Sequence, residues 1–356
     1  MGTIRVLLAI SVVFYHLGIN IFVGSKLAVQ LFYIISGFLI SYILVEKKSY
    51  SSIKNFYLNR FLRIFPIYWL VALITLILIL LSNFFLNKNP FLLLMYSELD
   101  QIGKSIMFLV NIFLLGQDWI IFTCVKNNFF QFVLDATSCE TKYWGLSALI
   151  IPQAWTIGVE LTFYIIAPYI LLRKKLLFFF LFLSILVRTY LISIDLGKGL
   201  WEYTFFPNEL SLFLFGAFSH QTWTPFLKKN NFLTRKRSIL ITFLIFIYCI
   251  IFSLLPYQSF NYLFLIFAFI LSLPFLFYMQ NQNYWDKKIG DLSYPIYISH
   301  FTFIWIFKNL FDKFFQVKYN SATGSLLIIM TIIFFSFFIN YFLDNKIQKF
   351  RNKFKV

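Results

Sequence analysis

Two ionisable residues share one face of the apolar run that opens the chain. Arg5 and His16 are separated by ten residues of almost wholly apolar character. Eleven steps of about 100° return a helix to nearly the same azimuth, with the two residues about 16 Å apart along the axis. If this helix crosses a membrane, Arg5 lies near one surface and His16 near mid-depth. An imidazole at that depth is costly, which makes His16 a functional candidate. Glu160 poses the same problem in a later run, with Trp155 before it and Tyr164 one turn on. A carboxylate there requires an arginine, a histidine or a hydroxyl-bearing substrate. A structural ion pair with Arg188 of the next run is its plainer account.

Arg60 and Arg63 stand three apart, on one helical face. Guanidinium forks bind phosphate bidentately. Taken alone, the pair reads first as an ordinary cytoplasmic anchor. Asn208 and Glu209 sit where a helix starts, and a carboxylate suits that positive dipole end. Asp291 can open the helix that carries His300, a second intramembrane histidine, which reads as packing ahead of catalysis. No P-loop, Rossmann glycine pattern, zinc motif or serine-nucleophile elbow occurs, so no metal or nucleotide redox cofactor is implied.

The elements that must position these residues follow from composition. The 356 residues are 60% hydrophobic and 22% aromatic, with 50 phenylalanines and a mean hydropathy of +0.79. This is the make-up of an integral membrane protein, and the long unbroken apolar runs specify helices, not a barrel. Ten runs are long enough to span: 4–22, 27–45, 64–86, 152–172, 176–194, 207–222, 238–255, 261–279, 290–311 and 322–343. An eleventh, 105–121, is short and carries Asn111, so it reads as re-entrant or weak. The expected fold is therefore an all-α polytopic helix bundle forming a single domain over residues 1–356, with no appended soluble domain.

The net charge of +17 does not signal nucleic acid, because the basic residues cluster in short loops between apolar runs. With a cytoplasmic N-terminus and ten spans, 21 of them fall on the cytoplasmic side and nine outside, with Arg188 inside a span. Both termini are thus expected in the cytoplasm. The stretch 87–151 becomes an external region with acidic and aromatic residues, suited to a carbohydrate or simply solvated. Cys124 and Cys139 lie in it and either pair, if the compartment is oxidising, or stay free. No internal repeat is visible, which counts against a secondary transporter.

Taken together, these segments resemble the membrane-bound acyltransferase-3 family. Arg5 and His16 match its Arg, ten residues, His pattern. Gln30 to Ile40 resembles its aromatic-then-Ser-Gly-Phe-Leu segment, and Arg60 with Arg63 its Arg-x-x-Arg motif. Trp155 to Tyr164 resembles its Trp-Ser-Leu-x-x-Glu-x-x-Phe-Tyr segment, with Thr156 where serine is usual. Leu292 to His300 resembles its Ser-Tyr-x-x-Tyr-x-x-His segment. Each motif is weak alone, and five in family order are specific. Asn208-Glu209 departs from the family, which often carries an arginine there.

The resemblance implies an O-acyltransferase of the bacterial cytoplasmic (inner) membrane, most often an O-acetyltransferase. It would move an acyl group from cytosolic acyl-CoA to a hydroxyl of a surface or lipid-linked glycan, such as lipopolysaccharide O-antigen, capsule or exopolysaccharide. Acyl-CoA would be a co-substrate, and membrane lipid the surroundings. Arg60 and Arg63 would hold the CoA phosphates, with Arg5 on the CoA or the thioester oxygen. His16 would act as general base or carry the acyl group. Glu160 would orient His16 or bind the acceptor. Tyr164, Trp155, Glu209 and His300 would serve the acceptor or the structure. Two other readings stay open: a polyprenyl-glycan flippase or transporter lined by buried charges, and an acyltransferase acting on a small lipid or secondary metabolite.

Overall fold

The computed structural model describes residues 1–86, 90–135, 137, 139–197, 199–311 and 321–354. Lys88, Lys198, Lys313, Lys318 and Lys355, which enter the charge count above, lie outside these described residues. In chain order the helices are α1 (Gly2–His16), α2 (Gly24–Ser41), α3 (Ile53–Leu86), α4 (Phe91–Glu98), α5 (Gln101–Phe113), α6 (Gln117–Ile120), α7 (Trp155–Leu171) and α8 (Lys174–Ser193). There follow α9 (Leu200–Tyr203), α10 (Phe206–Phe218), α11 (Thr224–Lys229), α12 (Arg235–Ile251) and α13 (Gln258–Gln282). The last are α14 (Tyr284–Asp291), α15 (Ser293–Ile306), α16 (Ala322–Ile339) and α17 (Asn345–Arg351). Single π-helical turns extend α2, α10, α15 and α16 at Tyr42–Glu46, Ser219–Trp223, Phe307–Phe311 and Asn340–Asp344.

Among the described residues, seven helical segments are long and apolar enough to cross a membrane: Gly24–Glu46, Ile53–Phe85, Pro152–Leu171, Lys174–Ser193, Arg235–Leu254, Gln258–Gln282 and Ala322–Phe354. The other three runs, expected at 4–22, 207–222 and 290–311, carry shorter helices, at Gly2–His16, at Phe206–Phe218, and at Tyr284–Asp291 with Ser293–Ile306. The first is shorter than its hydropathy suggests. Helix α1 ends at His16, and Gly18 at φ +81°, Phe22 at φ +57° and Gly24, the first residue of α2, at φ +70° turn the chain. The segment at 105–121 also breaks: α5 ends at Leu114 with φ +63°, and Gly116 follows at φ +83°. At 13 residues, α5 is too short to cross alone.

The chain divides into two compact units. One comprises Met1–Arg63, Ala167–Leu181 and Ser211–Val356; the other comprises Ile64–Ile166 and Phe182–Leu210. In the first unit α1 packs against α2, α14 and α15, and α15 packs against α16. Ile4, Leu7, Leu8, Ser11 and Val12 of α1 recur at the three- and four-residue spacing of one buried stripe. Helices α2 and α10 approach through glycine. A Cβ at Gly37 would sit 1.8 Å from the Phe213 carbonyl oxygen, and one at Gly216 would sit 2.0 Å from that of Ile34. Small residues at such crossings let apolar helices touch backbone to backbone.

The start of α1 is capped from outside. Asp286 of α14 accepts from the backbone N–H groups of Gly2 and Thr3, both at 2.8 Å, and from the Met1 ammonium at 3.0 Å. Burial alone would raise its carboxyl, but the ammonium, the Thr3 hydroxyl and these N–H groups hold it down, from the ordinary 3.8 to about 2. A carboxylate depressed on folding contributes stability above its unfolded pKa and loses it as pH falls through the folded one. Asp286→Asn is therefore expected to cost roughly 1 kcal/mol near neutrality and less as pH falls from about 4 towards 2. Melting temperatures of the solubilised protein across that window check it; equal losses at pH 7 and pH 2.5 would refute it.

The second unit shows that the fold is not purely helical. Strands β1 (Thr123–Lys126) and β2 (Phe129–Phe132) pair antiparallel around Asn127-Asn128. Both turn residues have positive φ, at 52° and 68°, as a two-residue hairpin requires. Cys124 on β1 is disulfide-bonded to Cys139, which selects the paired alternative. Asn111 fastens the same region: its Nδ2 donates to the Ala148 carbonyl at 3.0 Å, and its Oδ1 accepts from the Ile150 N–H at 2.9 Å. A cross-link over a 15-residue separation is worth about 3 kcal/mol. The double serine variant at Cys124 and Cys139 should lose that much thermal stability. Peptide mapping without reductant should recover the linked pair; alkylation of both thiols in intact membranes would contradict the bond.

Candidate functional site

Helix α1 carries the imidazole at one end and a guanidinium at the other. His16 is its last residue, half-buried, and lies against α15. The rings of His16 and His300 stack at 5.3 Å between centroids with 22° between planes, and Phe301 lies 4.5 Å from His16. His300 is fully buried, its Nδ1 lying 2.5 Å from the Tyr297 carbonyl oxygen. A carbonyl only accepts, so Nδ1 carries a proton. Nε2 has no hydrogen-bond partner among the described residues. The structure thus brings together two histidines 284 positions apart, where the sequence allotted His300 to packing. The C-terminal end of α1 also places His16 where a positive charge is favoured by the helix dipole.

Arg5 sits at the opposite end of α1, buried, with Nη1 3.6 Å from where a Cβ on Gly290 would stand. It belongs to a charged cluster. Arg5, Arg63 and Arg351 all act electrostatically on Asp344, as does Asp291. Arg60 adjoins them and donates from Nη2 to the Tyr50 hydroxyl and to Asn59 Oδ1, both at 3.2 Å. Arg60 and Arg63 act in turn on Arg351, so the three arginines singled out in the sequence share one charged neighbourhood with Arg351 and Asp344, to which the sequence assigns no role.

The remaining candidates lie in the second unit. Tyr164 donates to Glu160 Oε1 at 2.5 Å across one turn of α7. Trp155 packs edge-on against Tyr203 at 5.3 Å. Thr156, standing where the family has serine, donates to the Gln153 carbonyl at 3.0 Å and closes the first turn of α7. The expected partner of Glu160 is taken elsewhere. Arg188 Nη2 pairs with Glu209 Oε1 at 2.9 Å and donates to the Asn208 carbonyl at 3.0 Å. Glu209 is fully buried, so a dipole at the helix start is an insufficient account of it: a carboxylate out of water needs a direct cation.

Two further groups were given no chemical role by the sequence, Asp118 counting only among the acidic residues of 87–151. Ser41, His220 and Glu46 form a chain. Gln221 Nε2 donates to Ser41 Oγ at 3.0 Å, Ser41 Oγ lies 3.0 Å from His220 Nδ1, and His220 Nε2 lies 2.9 Å from Glu46 Oε2. Lys228 reaches the other Glu46 oxygen at 3.1 Å. The donor order matches that of an activated serine with the ring nitrogens exchanged, but Ser41 is wholly enclosed, so the chain locks α2 to α10. Asp118 of α6 is the second. It is almost fully buried, and its Oδ1 has no partner among the described residues. Burial pushes its carboxyl up to about 6, against the pull of its own and the Trp119 backbone N–H.

These features define a membrane protein built on helices, with a histidine pair and an arginine cluster at the two ends of one helix. The chain belongs to the acyltransferase-3 family: that family's model, described as an acyltransferase domain, matches residues 2–343. It is similar to proteins of Staphylococcus aureus, strains COL and N315, that carry the name "Putative O-acetyltransferase". Each is 25% identical over 328 residues, covering 85% of this chain and 50% of the relative. The chain thus spans about half the length of these relatives. It is also similar to an "Uncharacterized protein" of Aquifex aeolicus (strain VF5), 23% identical over 227 residues, covering 60% of this chain and 93% of that protein. No solved structure gives a significant match.

Proposed function

We propose that this chain is an acyl-CoA-dependent O-acyltransferase of the bacterial inner membrane, most simply an O-acetyltransferase, whose acceptor is a hydroxyl of a surface or lipid-linked glycan. The observation that carries this reading is the layout of α1, with an arginine cluster at Arg5 and an imidazole pair at His16. The pantetheine arm of CoA separates a thioester from a diphosphate by a comparable length. The names of the staphylococcal relatives support the oxygen acceptor and the acetyl group.

In this mechanism Arg60 and Arg63 bind the donor phosphates as charge-assisted forks. Arg5 steadies the donor or the developing negative charge on the thioester oxygen. His16 accepts the proton of the acceptor hydroxyl as its oxygen attacks the thioester carbonyl. The carbon–sulfur bond breaks, and the departing thiolate of CoA recovers the proton. The C-terminal dipole of α1 favours the transient imidazolium. Glu160, with Tyr164 already donating to it, offers an acceptor for a sugar hydroxyl, and Trp155 an apolar wall. Glu209 is structural in this scheme.

The test is transfer of label from radiolabelled acetyl-CoA into alkali-labile ester on membrane glycolipid or surface polysaccharide, in membranes with and without the protein. Ester that depends on the protein supports the reading. Glycan movement without thioester consumption would favour a transporter, and label in small lipid alone would move the acceptor class.

A further inference from the structure

The arginine cluster contains an arrangement that neither the family motifs nor the donor-binding roles above include. Asn59 lies one residue before Arg60 on α3, and Arg351 ends α17, 292 positions away. The two are interlocked: Asn59 Nδ2 donates to the Arg351 carbonyl at 3.0 Å, and Arg351 Nη2 donates to Asn59 Oδ1 at 3.2 Å. The same Oδ1 accepts from Arg60 Nη2 at 3.2 Å. Two guanidinium groups therefore converge on one neutral amide oxygen. All three side chains are withdrawn from water, Asn59 at 0%, Arg60 at 4% and Arg351 at 6% exposure. Arg351 Nε has no acceptor among the described residues.

An amide oxygen orients a guanidinium but cannot neutralise it. Arg60, Arg63 and Asp344 act electrostatically on Arg351, while Arg5, Arg63, Arg351 and Asp291 act on Asp344. Burying like charges with an unmet donor is costly unless an anion completes the site. A diphosphate carries the missing charge and enough acceptor oxygens for several forks at once.

We propose that Arg351, held by Asn59, is a binding residue for the diphosphate of the acyl donor and completes the site that Arg60 and Arg63 begin. The assignment rests on the reading of the donor as an acyl-CoA. The same phosphate chemistry is offered by an anionic lipid headgroup, and the experiment separates the two.

The full chain is solubilised, and its equilibrium binding is measured for CoA, for pantetheine, which lacks the phosphates, and for phosphatidylglycerol in nanodiscs. One charge-assisted contact is worth about 1.5–3 kcal/mol. Arg351→Gln should therefore weaken CoA binding roughly tenfold to a hundredfold and leave pantetheine binding unchanged. Arg351→Lys should recover part of the loss, since it keeps the charge without the fork. Equal weakening towards CoA and pantetheine would mean a merely structural role and overturn the proposal. So would an unchanged CoA affinity, or a loss confined to phosphatidylglycerol. Should Arg351→Gln fail to fold, Asn59→Ser, which keeps both arginines but removes the fork that aligns them, should show the same selective loss for CoA. Unchanged CoA affinity alongside intact acetyl transfer by the wild type would sink this inference alone. A wild type that neither binds CoA nor consumes acetyl-CoA would sink the functional reading with it.

Discussion

His16→Ala is expected to lower acyl transfer from acetyl-CoA about 10²- to 10⁴-fold, the usual loss when a positioned general base is removed. The comparison is label appearing as alkali-labile ester at matched expression. Donor binding should change little, because the arginine cluster stands at the other end of α1. A fall in transfer with CoA affinity retained would place the imidazole in the chemical step. Undiminished transfer would remove His16 from the chemistry while leaving the donor site standing. The stacking with His300 sharpens the expectation. The His300 ring, with its Nδ1 proton committed to the Tyr297 carbonyl, holds a fixed orientation and offers His16 an aromatic face.

That histidine was visible in the sequence because an ionisable group in an apolar helix has no inexpensive explanation. Arg5 was visible for the same reason, and the period of 3.6 joined the two without a structure. The end of α1 was not visible. Hydropathy continues through Ile19, Ile21 and Phe22, and the positive-φ residues Gly18, Phe22 and Gly24 show that the chain turns there. The hairpin at 123–132 was hidden in a similar way, its one local sign being Asn127-Asn128, which tolerate left-handed backbone. Pairings between distant segments left no local signal. Glu46 meets His220 across 174 positions and Asn59 meets Arg351 across 292, and no spacing rule reaches that far. The glycine of the Ser-Gly-Phe-Leu segment becomes intelligible only in three dimensions. Gly37 of the Ser-Gly-Phe-Leu segment is the point where α2 touches the backbone of α10.

The largest stability effect is expected at Arg188, whose pairing with Glu209 replaced the anticipated pairing with Glu160. Glu209 is wholly buried while the Arg188 side chain keeps 25% of its exposure, so the two partners are not equivalent. Arg188→Met leaves a buried carboxylate without its cation and should cost about 3–5 kcal/mol. Glu209→Gln leaves a guanidinium that can still reach water and the Asn208 carbonyl, so its cost should be nearer 1–3 kcal/mol. Combining Arg188→Met with Glu209→Leu removes both charges, and buried pairs replaced by apolar side chains are often neutral or stabilising. The double variant should therefore be more stable than Arg188→Met alone, with a coupling energy above about 2 kcal/mol by thermal unfolding in one detergent. Additive losses would mean that Glu209 is balanced by other groups. Acyl transfer offers an independent check on the same variants. If Glu209 serves only the fold, the double variant should retain the wild-type KM for acetyl-CoA and for the acceptor. A raised acceptor KM with normal stability would instead return Glu209 to the acceptor site, where the family often carries an arginine.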